Sequence, residues 1–496
     1  MQTIVRTRQG AIEGNRMQGV VAFKGVPYAA PPFGPNRFQP PRSVEPWDGV
    51  RQALAYGPTV PKAPYFPPFD VLLPEVDIPG EDCLNLNIWT PEPGQARLPV
   101  MVWIHGGAFL NGSGAWPTYD GTHFARDGVV CVTINYRLGA DGFLCLGDDV
   151  TNIGLLDQIA ALKWVQENIA AFGGDPDNVT IFGESAGGMS VATLMAMPAA
   201  SGLFRRGIAQ SGAGHHTFSL TTARRVGEYL AEKLGVEPTR QALAGVPIDR
   251  LVRTQQELRV EISRNPDPAR WGEAATNGVP FLPVVDGNLL PSRPIDALAA
   301  GASANIDVLV GSNADEFRLY MVPQGTINAV NEEMLSKAIA AYGLPVAETV
   351  ATYRATRQDA SPGELLAAIT TDWYFRIPAI RMAEAHAHRH AAATYMYEFA
   401  WQSPAFDGRL GACHALDVPF IFDNLDKEGY EGLAGSNPPQ QVADAMHAAW
   451  VAFATSGQPG WPQYDLQQRA TMRFDTVSRV IDDPRSQERM LWEGRR

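Results

Sequence analysis

Apolar and polar positions along the chain fall into distinct regimes. Between Ile4 and Val26 they alternate in short runs broken at Gly10 and near Gly14, which predicts a small N-terminal antiparallel sheet. Two proline-heavy stretches, Pro27 to Pro46 and Pro58 to Pro79, predict extended loops, because proline removes ladder donors and fixes φ. The second carries Tyr65, Phe66 and Phe69, so it either walls a pocket or covers surface. From Leu98 the pattern changes. Leu98 to Ile104 and Val129 to Tyr136 are continuous apolar runs, expected of strands covered on both faces. Ile153 to Ala171 places Leu155, Ile159, Leu162, Val165 and Ile169 on one helical face, and Gly173-Gly174 ends it. Ile208 to Ser211, Ile306 to Val310 and Thr394 to Ala400 read as further strands. Helices dominate about 220–300 and 330–392 and return at Val442 to Thr455. Strands alternating with helices predict an α/β fold with a central, mostly parallel sheet and ligands beyond the strands' carboxyl ends. No internal repeat, linker or boundary divides the chain, so 1–496 is expected to be one domain with helical insertions.

The stretch Asn178 to Met189 adds chemistry to that pattern. Val179 to Phe182 is a strand, Gly183-Glu184-Ser185-Ala186-Gly187 is Gly-x-Ser-x-Gly, and small residues follow that can start a helix. Alone the motif is weak. Between strand and helix, however, it forms a sharp turn that projects the Ser185 hydroxyl clear of the backbone. The helix N-terminus then aims its N–H groups beside it.

Composition changes the picture little. The chain has 496 residues, 45% hydrophobic, enough for a substantial core. A formal charge of −13 disfavours nucleic acid or an anionic membrane as partner. No apolar run has the length of a membrane span, and Met1 to Val5 does not resemble a secretory leader. Cys83, Cys131, Cys145 and Cys413 lack disulfide-framework or metal-site spacing, so a reducing cytoplasm is the expected location.

A serine nucleophile needs a histidine base, and the histidine needs a carboxylate to hold its tautomer. His386, His388 and His390 sit in an alanine-rich helix read as a solvated face, with no third ligand for a metal. His447 lies within a helix. His414 alone sits in a loop shortly after a late strand, where a base is required. For the acid, Asp315 and Glu316 both follow a buried strand, and spacing does not separate them. Asp286 reads as a turn residue and Asp417 as bonded locally. Backbone N–H groups from 106–108 and from Ala186 are candidate donors to a developing oxyanion.

With these residues in place the sequence resembles the type-B carboxylesterase/cholinesterase family of α/β-hydrolases, especially its bacterial para-nitrobenzyl-esterase-like members. The likeness runs from Phe23-Lys24-Gly25-Val26-Pro27-Tyr28-Ala29 to the C-terminal helix. It includes Glu81 to Trp89, His105-Gly106-Gly107-Ala108-Phe109, Asn135 to Gly139, Phe172 to Pro176 and Phe182 to Gly188. The resemblance implies Ser185 as nucleophile, Glu316 as acid, His414 as base, and Gly107, Ala108 and Ala186 as oxyanion donors. It also implies ion pairs of Arg37 with Glu81 and Arg137 with Asp157, a scaffold role for Glu184, and a hydrogen-bonded Ser211 behind the site. Four departures stand out. Ala55-Tyr56-Gly57-Pro58 lacks the cysteine that secreted relatives pair with the one matching Cys83. No tryptophan lies between Gly57 and Cys83, and Asn277 to Val279 lacks bulky aromatics, which argues against a choline ester. Phe317 replaces a common glycine after the acid.

The expected function is a serine carboxylesterase acting on uncharged alkyl or aryl esters through an acyl-enzyme, with no cofactor or metal. Its partner is a small-molecule ester, and the protein is expected to be a monomer or weak homo-oligomer. Specialisation for carbamate, amide or mycotoxin esters is the nearer alternative. A non-catalytic scaffold of the same fold is the remote one.

Overall fold

The computed structural model describes residues 2–94, 96–148, 150–427 and 429–496. The N-terminal strands are β1 Gln2–Arg6, β2 Ala11–Met17, β3 Val20–Pro27, β4 Val50–Gln52 and β5 Asn85–Thr90. The central ones are β6 Leu98–Ile104, β7 Val130–Ile134, β8 Gly174–Glu184 and β9 Arg206–Gln210. After the short pair β10 Phe218–Ser219 and β11 Val284–Val285 come β12 Asp307–Asn313, β13 Thr394–Phe399, β14 Ala470–Phe474 and β15 Arg479–Asp482. All but β10 and β11 join one 13-stranded sheet in the order β1-β2-β3-β5-β7-β6-β8-β9-β12-β13-β14-β15, with β4 beside β2. From β7 to β14 the neighbours run parallel. The antiparallel N-terminal strands are an extension of that sheet, attached through β3 and β5.

The continuous apolar runs have a two-sided cause. Val100, Val102 and Ile104 of β6 face one core, while Met101 and Trp103 face the other. Trp103 packs against Phe182 of the neighbouring strand, with ring centroids 4.9 Å apart. Both faces of the strands leading into the motif loops are therefore dry, and the loops inherit a rigid base.

Two expectations need correction. The second N-terminal turn falls at Gln18-Gly19, not near Gly14. Both turn residues have left-handed φ, 51° and 86°, as a tight two-residue hairpin requires. Gly14 lies inside β2, where a Cβ would come within 2.6 Å of the Phe23 ring, so its smallness serves packing. Arg37 pairs not with Glu81 but with Asp141, Nε to Oδ1 at 3.1 Å, and donates to the carbonyls of Ala244 and Val246. Those acceptors belong to segments distant in sequence, while Glu81 is exposed. The Arg137–Asp157 pair is present: Nε and Nη2 donate to the two carboxylate oxygens at 2.8 and 2.7 Å, and both side chains are buried. The four cysteines are free and buried. Among the described residues no helix is long and apolar enough to cross a membrane.

Removing one partner of a buried pair strands the other charge without solvent. Asp157→Asn is expected to destabilise the fold by about 3–5 kcal/mol, read as a lower denaturant midpoint at unchanged slope. Glu333→Gln, which breaks the exposed Lys337 pair, is expected to leave the midpoint in place.

Candidate active site

Strand β8 ends at Glu184 and a helix, Ala186–Ala196, begins two residues later. Between them Ser185 has φ 57° and ψ −122°, a left-handed conformation that costs a non-glycine residue about 1–3 kcal/mol. Its N–H donates to the Gln210 carbonyl and its own carbonyl accepts from Met189, both at 2.9 Å. The flanking glycines are sterically required. A Cβ on Gly183 would lie 2.5 Å from the Ile104 carbonyl oxygen, and one on Gly187 would collide with the same atom. The following helix is buried along its whole length, which keeps the strained turn from relaxing.

The chain leaves β6 through His105 into Gly106-Gly107-Ala108. Gly107 has φ 109° and Ala108 φ 55°, and the turn is closed by the N–H groups of Leu110 and Asn111 on the Gly107 carbonyl, each at 2.9 Å. A Cβ on Gly106 would lie 3.1 Å from Ser185 Cβ, so this backbone approaches the serine as nearly as packing allows. Burial lowers the His105 pKa to about 3, and the neutral ring bonds to Gly106 O at 2.8 Å and stacks on Tyr136. Among the described residues no group accepts a hydrogen bond from the N–H of Gly107, Ala108 or Ala186. Such amides are available to a negatively charged oxygen.

Beyond β12, Glu316 is fully buried. Its Oε1 accepts from the Asn313 N–H at 2.8 Å and its Oε2 lies 2.6 Å from His414 Nδ1. Asp315 turns away, accepting from Ala412 N–H and Gln402 Nε2. The geometry thus separates the two acids that spacing left equivalent. Phe317, at the position of the missing glycine, stacks on Tyr374 with centroids 5.5 Å apart, and its N–H donates to Thr371 Oγ1.

The other ring nitrogen of His414, Nε2, lies 3.1 Å from Glu184 Oε1. Glu184 is therefore more than scaffold: its buried carboxylate lies against the His414 ring. Ser185 and His414 line the same cavity, but no hydrogen bond joins the serine hydroxyl to the ring. Burial pushes the His414 pKa down, but Glu184 and Glu316 more than offset this and raise it to about 9. Burial raises Glu184 to about 8, opposed by His414. Asp417, buried and bonded by Asn313 Nδ2, is raised to about 6 by burial and by Glu316.

The cavity measures about 820 Å³ counting its open mouth. Tyr65 and Phe69 of the proline-stiffened loop, with Trp116, Tyr119 and Tyr320, form an aromatic wall. That loop therefore walls a pocket. Sequence reasoning missed Glu75, which also lines the cavity. It accepts from the Gly112 N–H at 3.1 Å and sits 3.7 Å from Lys62 Nζ, tying the aromatic loop to the glycine-rich one. A carboxylate in a proline-rich stretch carries no signal by itself.

Two further expectations fail. Ser211 is buried, yet among the described residues its hydroxyl has no hydrogen-bond partner; only its N–H is held, by Gly311 O. His386 is buried and bonded to Thr394 Oγ1, because the alanines beside it pack inward; His388 and His390 are exposed. Among the described residues no His/Cys/Asp/Glu cluster fits a metal. His447 packs on Phe124 and bonds to Ile421 O.

The model of the carboxylesterase family matches residues 1–492. The chain is 40% identical to the para-nitrobenzyl esterase of Bacillus subtilis, over 98% of this chain and 97% of that one. It is 36% identical to the phenmedipham hydrolase of Pseudarthrobacter oxydans, over 95% and 94%. Among solved structures, the Geobacillus stearothermophilus carboxylesterase at pH 6.2 superposes with a TM-score of 0.87 at 40% identity, over 99% of this chain and 100% of that chain. The chain belongs to the carboxylesterase family and is a carboxylic-ester hydrolase with the α/β-hydrolase fold.

Proposed function

We propose that the protein hydrolyses alkyl and aryl esters through a covalent acyl-enzyme, with Ser185 as nucleophile, His414 as base and Glu316 as the acid that orients it. The observation that carries this reading is the 2.6 Å contact between His414 Nδ1 and the buried Glu316, in a ring that lines the same cavity as Ser185. Glu316 holds the proton on Nδ1 and leaves Nε2 to accept one. As Ser185 Oγ attacks the ester carbonyl, its proton passes to Nε2. The resulting oxyanion is held by the N–H groups of Gly107, Ala108 and Ala186. The imidazolium then gives its proton to the departing alkoxide, leaving the acyl group on Ser185. Water, deprotonated by His414, releases the acid and restores the hydroxyl. No cofactor or metal enters this cycle. The aromatic wall favours apolar alkyl or aryl groups. One domain over 1–496, a cytoplasmic location and a monomeric or weakly associating chain complete the reading; the four unpaired buried thiols support the location.

Glu184 enters the cycle electrostatically, because the imidazolium forms beside its carboxylate. Neutral imidazole is the reactive form of His414, so the acid limb of the pH–kcat/KM profile follows its pKa. Removing the Glu184 charge lowers that pKa. Glu184→Gln is therefore expected to move the acid limb to lower pH by about one unit or more. A limb that stays or moves upward contradicts the assignment.

Ser185→Ala is expected to reduce turnover of a chromogenic short-chain aryl ester by at least about 10⁴-fold while leaving the unfolding midpoint near wild type. Retention of a tenth of the activity would remove Ser185 from the role.

A further inference from the structure

Among the described residues, three charged residues besides His414 line the cavity: Glu75, Glu184 and Arg259. Glu75 is matched by Lys62 and the Gly112 N–H, and Glu184 lies against His414. Arg259 differs. It projects from the helix Ile248–Arg264, one position past the buried Leu258, and lines both this cavity and the adjoining cleft beneath Tyr65 and Phe66. Among the described residues, nothing forms an ion pair or hydrogen bond with its guanidinium. On the same helix Arg250 donates to Leu234 O, while Arg253 and Arg264 are exposed to solvent; of these arginines it is Arg259 that lines the cavity.

A half-buried guanidinium keeps several donors in a planar fork that matches a carboxylate in a bidentate manner. Placed on an aromatic wall, it gives the cavity an anion anchor away from the glycine-rich floor. We propose that Arg259 is a specificity-determining residue that binds a carboxylate carried by the substrate, so that the cavity takes dicarboxylic half-esters, and esters with a carboxylated alcohol, as well as neutral ones. This inference rests on the ester-hydrolase reading of the same cavity. An anion bound this way acts mainly on KM, because the contact is made equally before and during reaction.

The test compares neutral aryl and alkyl esters with analogues of matched length ending in a carboxylate, placed in one series on the acyl half and in the other on the alcohol half. The readout is the ratio of kcat/KM for the carboxylated ester to that for the neutral one, so any general loss of activity cancels. In Arg259→Gln the ratio is expected to fall about ten- to a hundredfold in one of the two series, largely through KM, and to recover in part in Arg259→Lys. In the wild type the same ratio is expected to fall as salt is added. Ratios that are equal in wild type and Arg259→Gln in both series overturn the proposal. Failure of the wild type on every neutral ester would instead overturn the ester-hydrolase reading itself.

Discussion

The structure depends on how closely three stretches of backbone approach one another. The Ile104 carbonyl at the end of β6 leaves no space for a side-chain carbon at Gly183 or Gly187, and Gly106 passes against Ser185 Cβ. Two neighbouring parallel strands, Ile104 registered on Gly183, bring the serine turn and the glycine-rich loop to the same level. Dense packing on both sheet faces then holds Ser185 in a conformation it would not otherwise keep. The amides of Gly107, Ala108 and Ala186 are left unbonded at the same junction, where Gly107 and Ala108 border the cavity instead of another strand. Ser185 and the glycine-rich loop thus rest on strand ends, and the motif glycines are consequences of sheet geometry.

Around that floor the electrostatics are arranged in layers. Glu316 lies behind His414 with its oxygens committed to Asn313 N–H and to Nδ1. Glu184 lies in front, facing Nε2. An imidazole between two carboxylates in a dry environment is a stronger base than one in water, and the imidazolium it forms is stabilised on both sides. The Lys62–Glu75 pair carries a similar logic outward, since a neutralised pair fastens the aromatic loop to the glycine-rich loop without adding a net charge of its own.

Much of this was legible in the sequence wherever the cause was local. The apolar run Leu98 to Ile104 reads as a two-sided strand and is one. Gly183 and Gly187 read as steric requirements because a sharp turn admits no Cβ. His414 stood out because the other late histidines read as helical, although the helix carrying His386 ends at Ala387, before His388 and His390. What could not be read depends on distant segments meeting. Arg37 finds Asp141 because the helix Gly139–Phe143 comes beneath it, and no spacing encodes that. Gly14 looked like a turn because its constraint, the Phe23 ring, lies across the hairpin. His386 looked solvated because small alanines hide how deeply their helix is buried. Glu184 carried its motif's signal but not its direction, which depends on where the loop after β13 delivers His414.

The central claim is that Ser185 is made nucleophilic by His414 held on Glu316. The most direct measurement is the site and rate of covalent labelling by a dialkyl aryl phosphate, followed by intact mass and peptide mapping. The account predicts one dialkylphosphoryl group on Ser185, appearing in step with loss of esterase activity and strongly slowed in both His414→Ala and Glu316→Ala. Labelling at another residue as activity is lost, or labelling of Ser185 at an unchanged rate without His414, would contradict it.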